Sequence, residues 1–169
     1  MISTDHGAVI RDWWATNLAD RNAGAARGLA ARLRRADMTE ALCEPAVQEL
    51  AGLLRSRDAD RIFRLVRVLA ELRGTDQASL PRILGQGDPK TLSPSRFQAL
   101  MRADGDDLTL RLVRAIRALG GTDRRRCAIA ALGRDLWFWN DQTRARWAFD
   151  YFGATVPAVL YPHREEASA

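Results

Sequence analysis

The residues able to do chemistry in this sequence are overwhelmingly arginines. Lys90 is the only lysine among 26 basic residues, and against 21 Asp and Glu the formal net charge is +5. A guanidinium stays protonated, offers a flat fork of donors that matches phosphate oxygens, and stacks on planar rings. A GC-rich genome would raise arginine and alanine together, so composition alone has two readings and the positions must separate them. Arg61, Arg64 and Arg67 recur at i, i+3, i+6, and Arg111, Arg114 and Arg117 do the same. Arg27, Arg34 and Arg35 share one segment, Arg124, Arg125 and Arg126 are consecutive, and Arg144 stands in an aromatic stretch.

Catalytic and metal chemistry has no comparable pattern. His6 and His163 lie in terminal segments with no nucleophile or metal partner nearby in sequence. Cys43 and Cys127 are far apart, form no CxxC and have no metal-ligand spacing; both read as reduced core residues. The run Gly85-Gln86-Gly87-Asp88-Pro89-Lys90-Thr91 lacks the spacing of a phosphate loop, has Pro89 where a donor is needed and follows no strand. Asp106-Asp107 suits a helix start, and Glu165-Glu166 a tail. The expectation is a binding protein and not an enzyme, with no cofactor and no metal.

The elements that must position the arginines are helices. The chain has 169 residues, 47% of them hydrophobic and 28% charged, which suits one domain or two small helical lobes. Alanine, leucine and arginine dominate, and all three favour helix. The pattern predicts helices over about Ala8–Asp20, Ala23–Ala36, Pro45 to near Arg55, and Ala59–Arg73 with Gly74 as its stop. Gly74–Ser93 is rich in Gly and Pro, carries one short helical piece near Leu80–Leu84, and reads as a surface connection. Ser93-Pro94 restarts a helix to about Asp104, followed by Asp106–Leu119, Arg124–Trp139 and Asp141–Phe152. The chain beyond Pro157 reads as irregular, with His163–Ala169 frayed. The expected organisation is all-α: an N-terminal lobe over 1–75, a connecting segment over 76–92 and a C-terminal lobe over 93–169. The N-terminus carries no signal-like apolar run, and no segment approaches the roughly 20 apolar residues of a membrane span, so the expected location is cytoplasmic.

Helical periodicity aims the arginines outward. Leu108, Leu112, Ala115, Ile116 and Leu119 share one sector of their helix, and Arg111, Arg114 and Arg117 sweep its flank and back. Ile62, Leu65, Val66 and Leu69 form a matching stripe opposite Arg61, Arg64 and Arg67. For any one arginine a solvated surface with local pairs, such as Arg67 with Glu71 at i, i+4, is the stronger reading. Three helices with basic outer faces weigh against it for the set. Consecutive Arg124, Arg125 and Arg126 in a first turn would oppose the helix dipole, a cost an anionic partner would relieve. The aromatics from Trp137 to Phe152 have two readings, base stacking and a buried seam; the i, i+4 pair Trp147 and Tyr151 favours the seam.

Several segments line up with a known family. Ile10-Arg11-Asp12-Trp13-Trp14 precedes Ala31-Arg32-Leu33-Arg34-Arg35-Ala36; then come Leu92-Ser93-Pro94-Ser95-Arg96-Phe97 and Arg102-Ala103-Asp104. Leu112-Val113-Arg114-Ala115-Ile116-Arg117, Leu136-Trp137-Phe138-Trp139 and Arg144-Ala145-Arg146-Trp147 complete the series. In order and spacing, from about Ile10 to Phe152, this resembles CasB, the small subunit of the type I-E CRISPR surveillance complex Cascade. The resemblance implies a two-lobed all-α fold, no catalytic activity, and two copies stacked head to tail in the complex. It implies as partners the other Cascade subunits, guide RNA, the target and displaced DNA strands and a second copy of the chain, and no membrane. The family's task is to help hold the guide–target arrangement and the displaced strand of the R-loop. Exchange of a DNA duplex for a heteroduplex is nearly balanced, so backbone contacts tip it.

By the resemblance, Arg34 and Arg35 match the family's arginine pair, Arg96 and Arg102 its basic positions around the Arg-Phe segment, and Arg114 the one on the following helix. These five are expected to converge on one basic track. Arg61, Arg64, Arg67, Arg111, Arg117 and Arg144 are added on periodicity. Two other functions compete: a stand-alone DNA-binding regulator, which would need a recognition helix around Gly120-Gly121, and a helical adaptor that binds protein only.

Overall fold

The computed structural model describes residues 4–154 and 158–161. Among them the chain is mostly helical, as expected: α1 (His6–Asn17), α2 (Gly24–Arg35), α3 (Met38–Leu42), α4 (Pro45–Leu53) and α5 (Ala59–Leu69) precede α6 (Leu80–Leu84), α7 (Pro94–Arg102), α8 (Gly105–Ala118), α9 (Ile129–Trp137) and α10 (Asp141–Tyr151). The two strands, β1 (Gly74–Thr75) and β2 (Arg126–Cys127), form a minimal parallel pair. Ala158–Leu160 form a 3-10 turn, and the expected frayed end His163–Ala169 lies outside the described residues.

Local chemistry sets most helix starts. The Asp5 carboxylate accepts from the Ala8 N–H at 3.1 Å, Asp58 accepts from the Arg61 N–H at 3.0 Å, and Asn140 from the Thr143 N–H at 3.0 Å. Pro94 stands in the first turn of α7 behind Ser93, and Pro45 in the first turn of α4. A reciprocal capping box between Asp37 and Glu40 nucleates α3, which is too short for periodicity to reveal.

Three sequence expectations are corrected. Helix α5 ends at Leu69 and not at Arg73. Beyond it, the Arg21 guanidinium donates to the Ala70 and Leu72 carbonyls, both at 3.0 Å, and the Arg73 N–H donates to the Arg125 carbonyl at 2.8 Å. The same pairing removes Arg124, Arg125 and Arg126 from any helix. They run through a 3-10 turn into β2, and α9 begins only at Ile129, so no helix dipole opposes them. Gly74–Ser93 is not a surface connection throughout. Leu80, Leu84 and Leu92 are buried, and Gly85 lies so close to the Tyr151 carbonyl that a Cβ there would collide with it.

Packing interleaves the two ends of the chain. Helix α1 lies along α9, and α5 packs against α3, α8 and α9. The α1–α9 approach is close because a Cβ at Gly133 would meet Ile10 and one at Gly7 would meet the Ala130 carbonyl. Ile62, Leu65, Val66, Val68 and Leu69 of α5 are buried, each contributing about 1.5–3 kcal/mol by transfer from water. Trp13 donates from Nε1 to the Ala46 carbonyl at 2.8 Å, tying α1 to α4.

The C-terminal aromatics are largely core. Trp137, Trp147 and Tyr151 are buried, whereas Phe138, Phe149 and Phe152 are exposed. Tyr151 stacks on Phe97 with centroids 4.0 Å apart and donates its hydroxyl to the Leu92 carbonyl at 2.6 Å. Beside them the buried Asp135 carboxylate accepts from Arg146 at 2.7 Å and from Trp147 Nε1 at 2.7 Å, locking α9 to α10. Cys127 is core, and burial, then the neighbouring Asp76 charge, pushes its thiol up to about 12. Cys43, expected in the core, is exposed at the C-terminal end of α3.

Candidate nucleic-acid interface

Helices α7 and α8 frame an open cleft of about 380 Å³. Leu92, Leu100, Ala115 and Ala118 line its apolar part, and Arg96, Arg111 and Arg114 supply its charge. The amphipathic pattern of α8 explains the arrangement: Leu112, Val113 and Ile116 face the core and carry Arg111 and Arg114 to its margin. Arg111 is held by Asp107 at 2.8 Å. Arg96 and Arg114 are exposed, and among the described residues neither takes part in an ion pair. Two solvated cations over an apolar floor suit a phosphate backbone and its sugars and supply no base-reading acceptor.

One turn further along α8, Arg117 leaves this cleft for a different setting. Its guanidinium donates twice to the Glu71 carboxylate, at 2.7 and 3.1 Å. Arg67 donates to the same group at 2.9 Å and Arg125 at 3.5 Å. Glu71 is only 1% exposed. Burial pushes its carboxyl up, but the hydrogen bonds from Arg117 and Arg67 outweigh that and leave it below the ordinary value. Arg34, on the last turn of α2, lies within electrostatic range of Glu71, Arg73, Arg125 and Arg117. Arg21, in turn, lies within range of Arg73, Arg34 and Glu71. Burial, then the charges of Arg73 and Arg34, push Arg21 down to about 10.

The remaining expected site residues are spread over other surfaces. Arg61 and Arg64 line a polar cleft of about 240 Å³ with Asp58, Asp60 and Trp139, and Arg61 lies 4.9 Å over the Trp137 ring. Arg144 is half-buried, paired with Asp104 and Asp141, and sits 5.5 Å from the Trp139 ring. Arg35 lines a depression with Arg32, Glu40 and Glu44. Arg102 ends α7, about 120° around that helix from Arg96. The five arginines expected on one track therefore do not line one cleft. Arg96 and Arg114 share a cleft, Arg34 lies within electrostatic range of Arg117, Arg35 lines a separate depression and Arg102 stands on another side of α7. Among the described residues no His, Cys, Asp or Glu cluster is arranged to hold a metal ion, and no helix is long and apolar enough to cross a membrane.

The model of the CRISPR-associated protein Cse2 family matches residues 29–152. The chain belongs to the Cse2 family. Cse2 is the small subunit of type I-E Cascade, also called CasB, so the resemblance read from the sequence holds. The chain is thus of a family that forms a structural component of a CRISPR complex and is not a known enzyme. The fold is similar to the crystal structure of TTHB189, a CRISPR-associated protein of the Cse2 family from Thermus thermophilus. That match has a TM-score of 0.66 at 23% identity and covers 88% of this chain and 98% of the other. No curated protein matches.

Sequence reasoning saw Arg67 with Glu71 as a surface pair and missed the rest of that cluster. Arg21, Arg73 and Arg125 stand outside any regular helical stripe, and only the folding of four separate segments brings them together. The Asp135–Arg146–Trp147 network was missed for the same reason: its residues sit on two helices, and an acid in an apolar run gives no periodic signal.

Proposed function

We propose that the chain is a non-catalytic, nucleic-acid-binding small subunit of the type I-E surveillance complex. In this reading it steadies the guide RNA–target arrangement and the displaced strand of the R-loop through arginine–phosphate contacts. The observation that carries it is the pair Arg96 and Arg114, exposed, without ion-pair partners among the described residues, and set in one cleft with Arg111. Family membership supplies the setting. Arginines kept only for solubility have no need to share an apolar-floored cleft, and a backbone-tracking surface does. The partners in this reading are the other Cascade subunits, guide RNA, both DNA strands and a second copy of the chain.

The test is the double variant Arg96→Ala/Arg114→Ala in the isolated chain and in the reconstituted complex. The melting temperature is expected to stay within about 2 °C of the wild type, because exposed arginines contribute little to stability. Affinity for single strands should fall alike for every sequence, since phosphate contacts carry no base information. With about four phosphates neutralised, log K for the wild type should fall against log salt with a slope of roughly −3. In the complex, R-loops should become less stable while guide RNA still loads. Full target binding by the double variant at physiological salt would refute the reading.

A further inference from the structure

The cluster around Glu71 holds more positive than negative charge. Arg67, Arg117 and Arg125 bond the carboxylate directly. Arg21, Arg34 and Arg73 crowd the same junction of α2, α5 and α8. Three guanidiniums thus bond one carboxylate, and three more lie within electrostatic range of it or of one another. Both Glu71 oxygens are already engaged, Oε1 by Arg67 and Arg117 and Oε2 by Arg117 and Arg125. Arg21 satisfies part of its fork on the carbonyls of Leu18, Ala70 and Leu72, yet among the described residues its Nη1 is buried without a partner, and so is Nε of Arg73, as is Nε of Arg64, Arg134, Arg144 and Arg146 elsewhere. Buried donors left unmade are costly, and mutual repulsion adds to the cost. The surplus is what an oxyanion would satisfy, since several forks from different elements converge on it.

The geometry points to a second anion site at this junction, in which Arg21, Arg34, Arg73, Arg117 and Arg125 take a phosphate group of a bound nucleic-acid strand while Glu71 holds the forks in place. Continuity with the α7–α8 cleft favours a strand over an acidic peptide. Arg114 and Arg117 stand about 4.5 Å apart along the axis of α8, so a strand lying over Arg114 passes the cluster next. Occupancy neutralises repulsion between α2, α5 and α8, so binding and fold stability are linked here, in contrast to Arg96 and Arg114. This deepens, and rests on, the nucleic-acid-binding reading above.

The experiment compares melting temperatures of the full chain in sodium phosphate and in sodium chloride at equal ionic strength and neutral pH, and then with a short oligothymidylate. Phosphate at tenfold its dissociation constant is expected to raise Tm by about 3–5 °C over chloride. Arg34→Gln and Arg73→Gln should melt at or above the wild type in chloride and lose the phosphate shift. Glu71→Gln should melt lower in chloride and recover more in phosphate than the wild type does. The double variant Arg34→Gln/Arg73→Gln should bind oligothymidylate with a salt slope shallower by about 0.7 for each phosphate no longer neutralised.

Equal melting in the two salts, or a phosphate shift that survives Arg34→Gln and Arg73→Gln, overturns the site. A phosphate shift lost in those variants with unchanged oligothymidylate binding makes it a free-phosphate site and overturns the strand as its ligand, while the reading of Arg96 and Arg114 stands. A larger shift from poly-glutamate than from oligothymidylate overturns the strand in favour of an acidic protein. A phosphate shift with no oligothymidylate binding at low salt overturns the strand assignment together with the nucleic-acid-binding reading on which it rests.

Discussion

Asp135 and Glu71 are both buried carboxylates bonded to arginine, and their surroundings differ in charge balance and in access to water. Asp135 has one guanidinium, that of Arg146, and one indole N–H, that of Trp147; the side chains of Asp135 and Arg146 are 7% and 8% exposed. One bonded guanidinium meets one carboxylate there, and both are withdrawn from solvent. Glu71 is equally buried, but Arg117, which bonds it, keeps half its side-chain surface in solvent, and Arg67 and Arg125 pair with the same carboxylate. The first arrangement sets one guanidinium and one indole against the carboxylate, with Arg146 Nε left buried and unpartnered among the described residues. The second sets three guanidiniums on one carboxylate and opens outward through Arg117. A buried arginine–carboxylate pair therefore says little about function by itself; the count of charges and the solvent path distinguish a rivet from a receptor.

The difference is sharpest under substitution. Asp135→Ala removes the acceptor of both the Arg146 guanidinium and Trp147 Nε1, leaving buried donors unmade, and should cost about 3–5 kcal/mol. Thermal melts should show the loss in chloride and in phosphate alike. A loss that phosphate reverses would erase the contrast between the two sites. Trp147→Ala should fall in the same range, about 3–5 kcal/mol, because the ring is core. An unchanged Tm with lost strand binding would instead make Trp147 a stacking platform.

Acid should separate the two carboxylates next, and by less. The Glu71 carboxyl is held below its ordinary 4.5, so its contribution is complete above that value and is lost as pH falls through the lower folded-state one. Burial pushes Asp135 the other way, above its ordinary 3.8, despite the pull of Arg146 and the Trp147 hydrogen bond. Its ionisation therefore favours the unfolded chain, and that contribution to stability is lost as pH rises through the raised value. Denaturant titrations of the wild type and Glu71→Gln from neutral pH to below the ordinary glutamate range should show the acid loss shrinking in the variant. Parallel curves would remove Glu71 from the account. The smallest effect is expected at Arg125, whose contact with Glu71 is 3.5 Å long. Arg125→Gln should change stability by less than about 1 kcal/mol. A larger loss, read from the same denaturant curves, would mean that the cluster is a structural clamp and that its arginines are not in surplus.

The sequence by itself determined the helices and the character of their faces. Apolar periodicity over Ala59–Leu69 and Gly105–Ala118, Ser93-Pro94 before α7, and Asp5 and Asp58 as caps are all local signals, read within one or two turns of chain. Order and spacing of such segments also carried the family. Only the tertiary structure decided which arginines meet an acid and which meet water. Arg111, Arg114 and Arg117 look alike along α8, yet one is held by Asp107, one lines an open cleft and one bonds a buried glutamate 46 residues away. Likewise Gly74 looks like a helix stop and Arg124–Arg126 like a first turn, until β1 and β2 pair and take their backbone hydrogen bonds. The reason is range. Caps and amphipathic stripes are set by neighbours three or four residues apart, whereas an ion pair or a strand pair depends on partners that periodicity does not place.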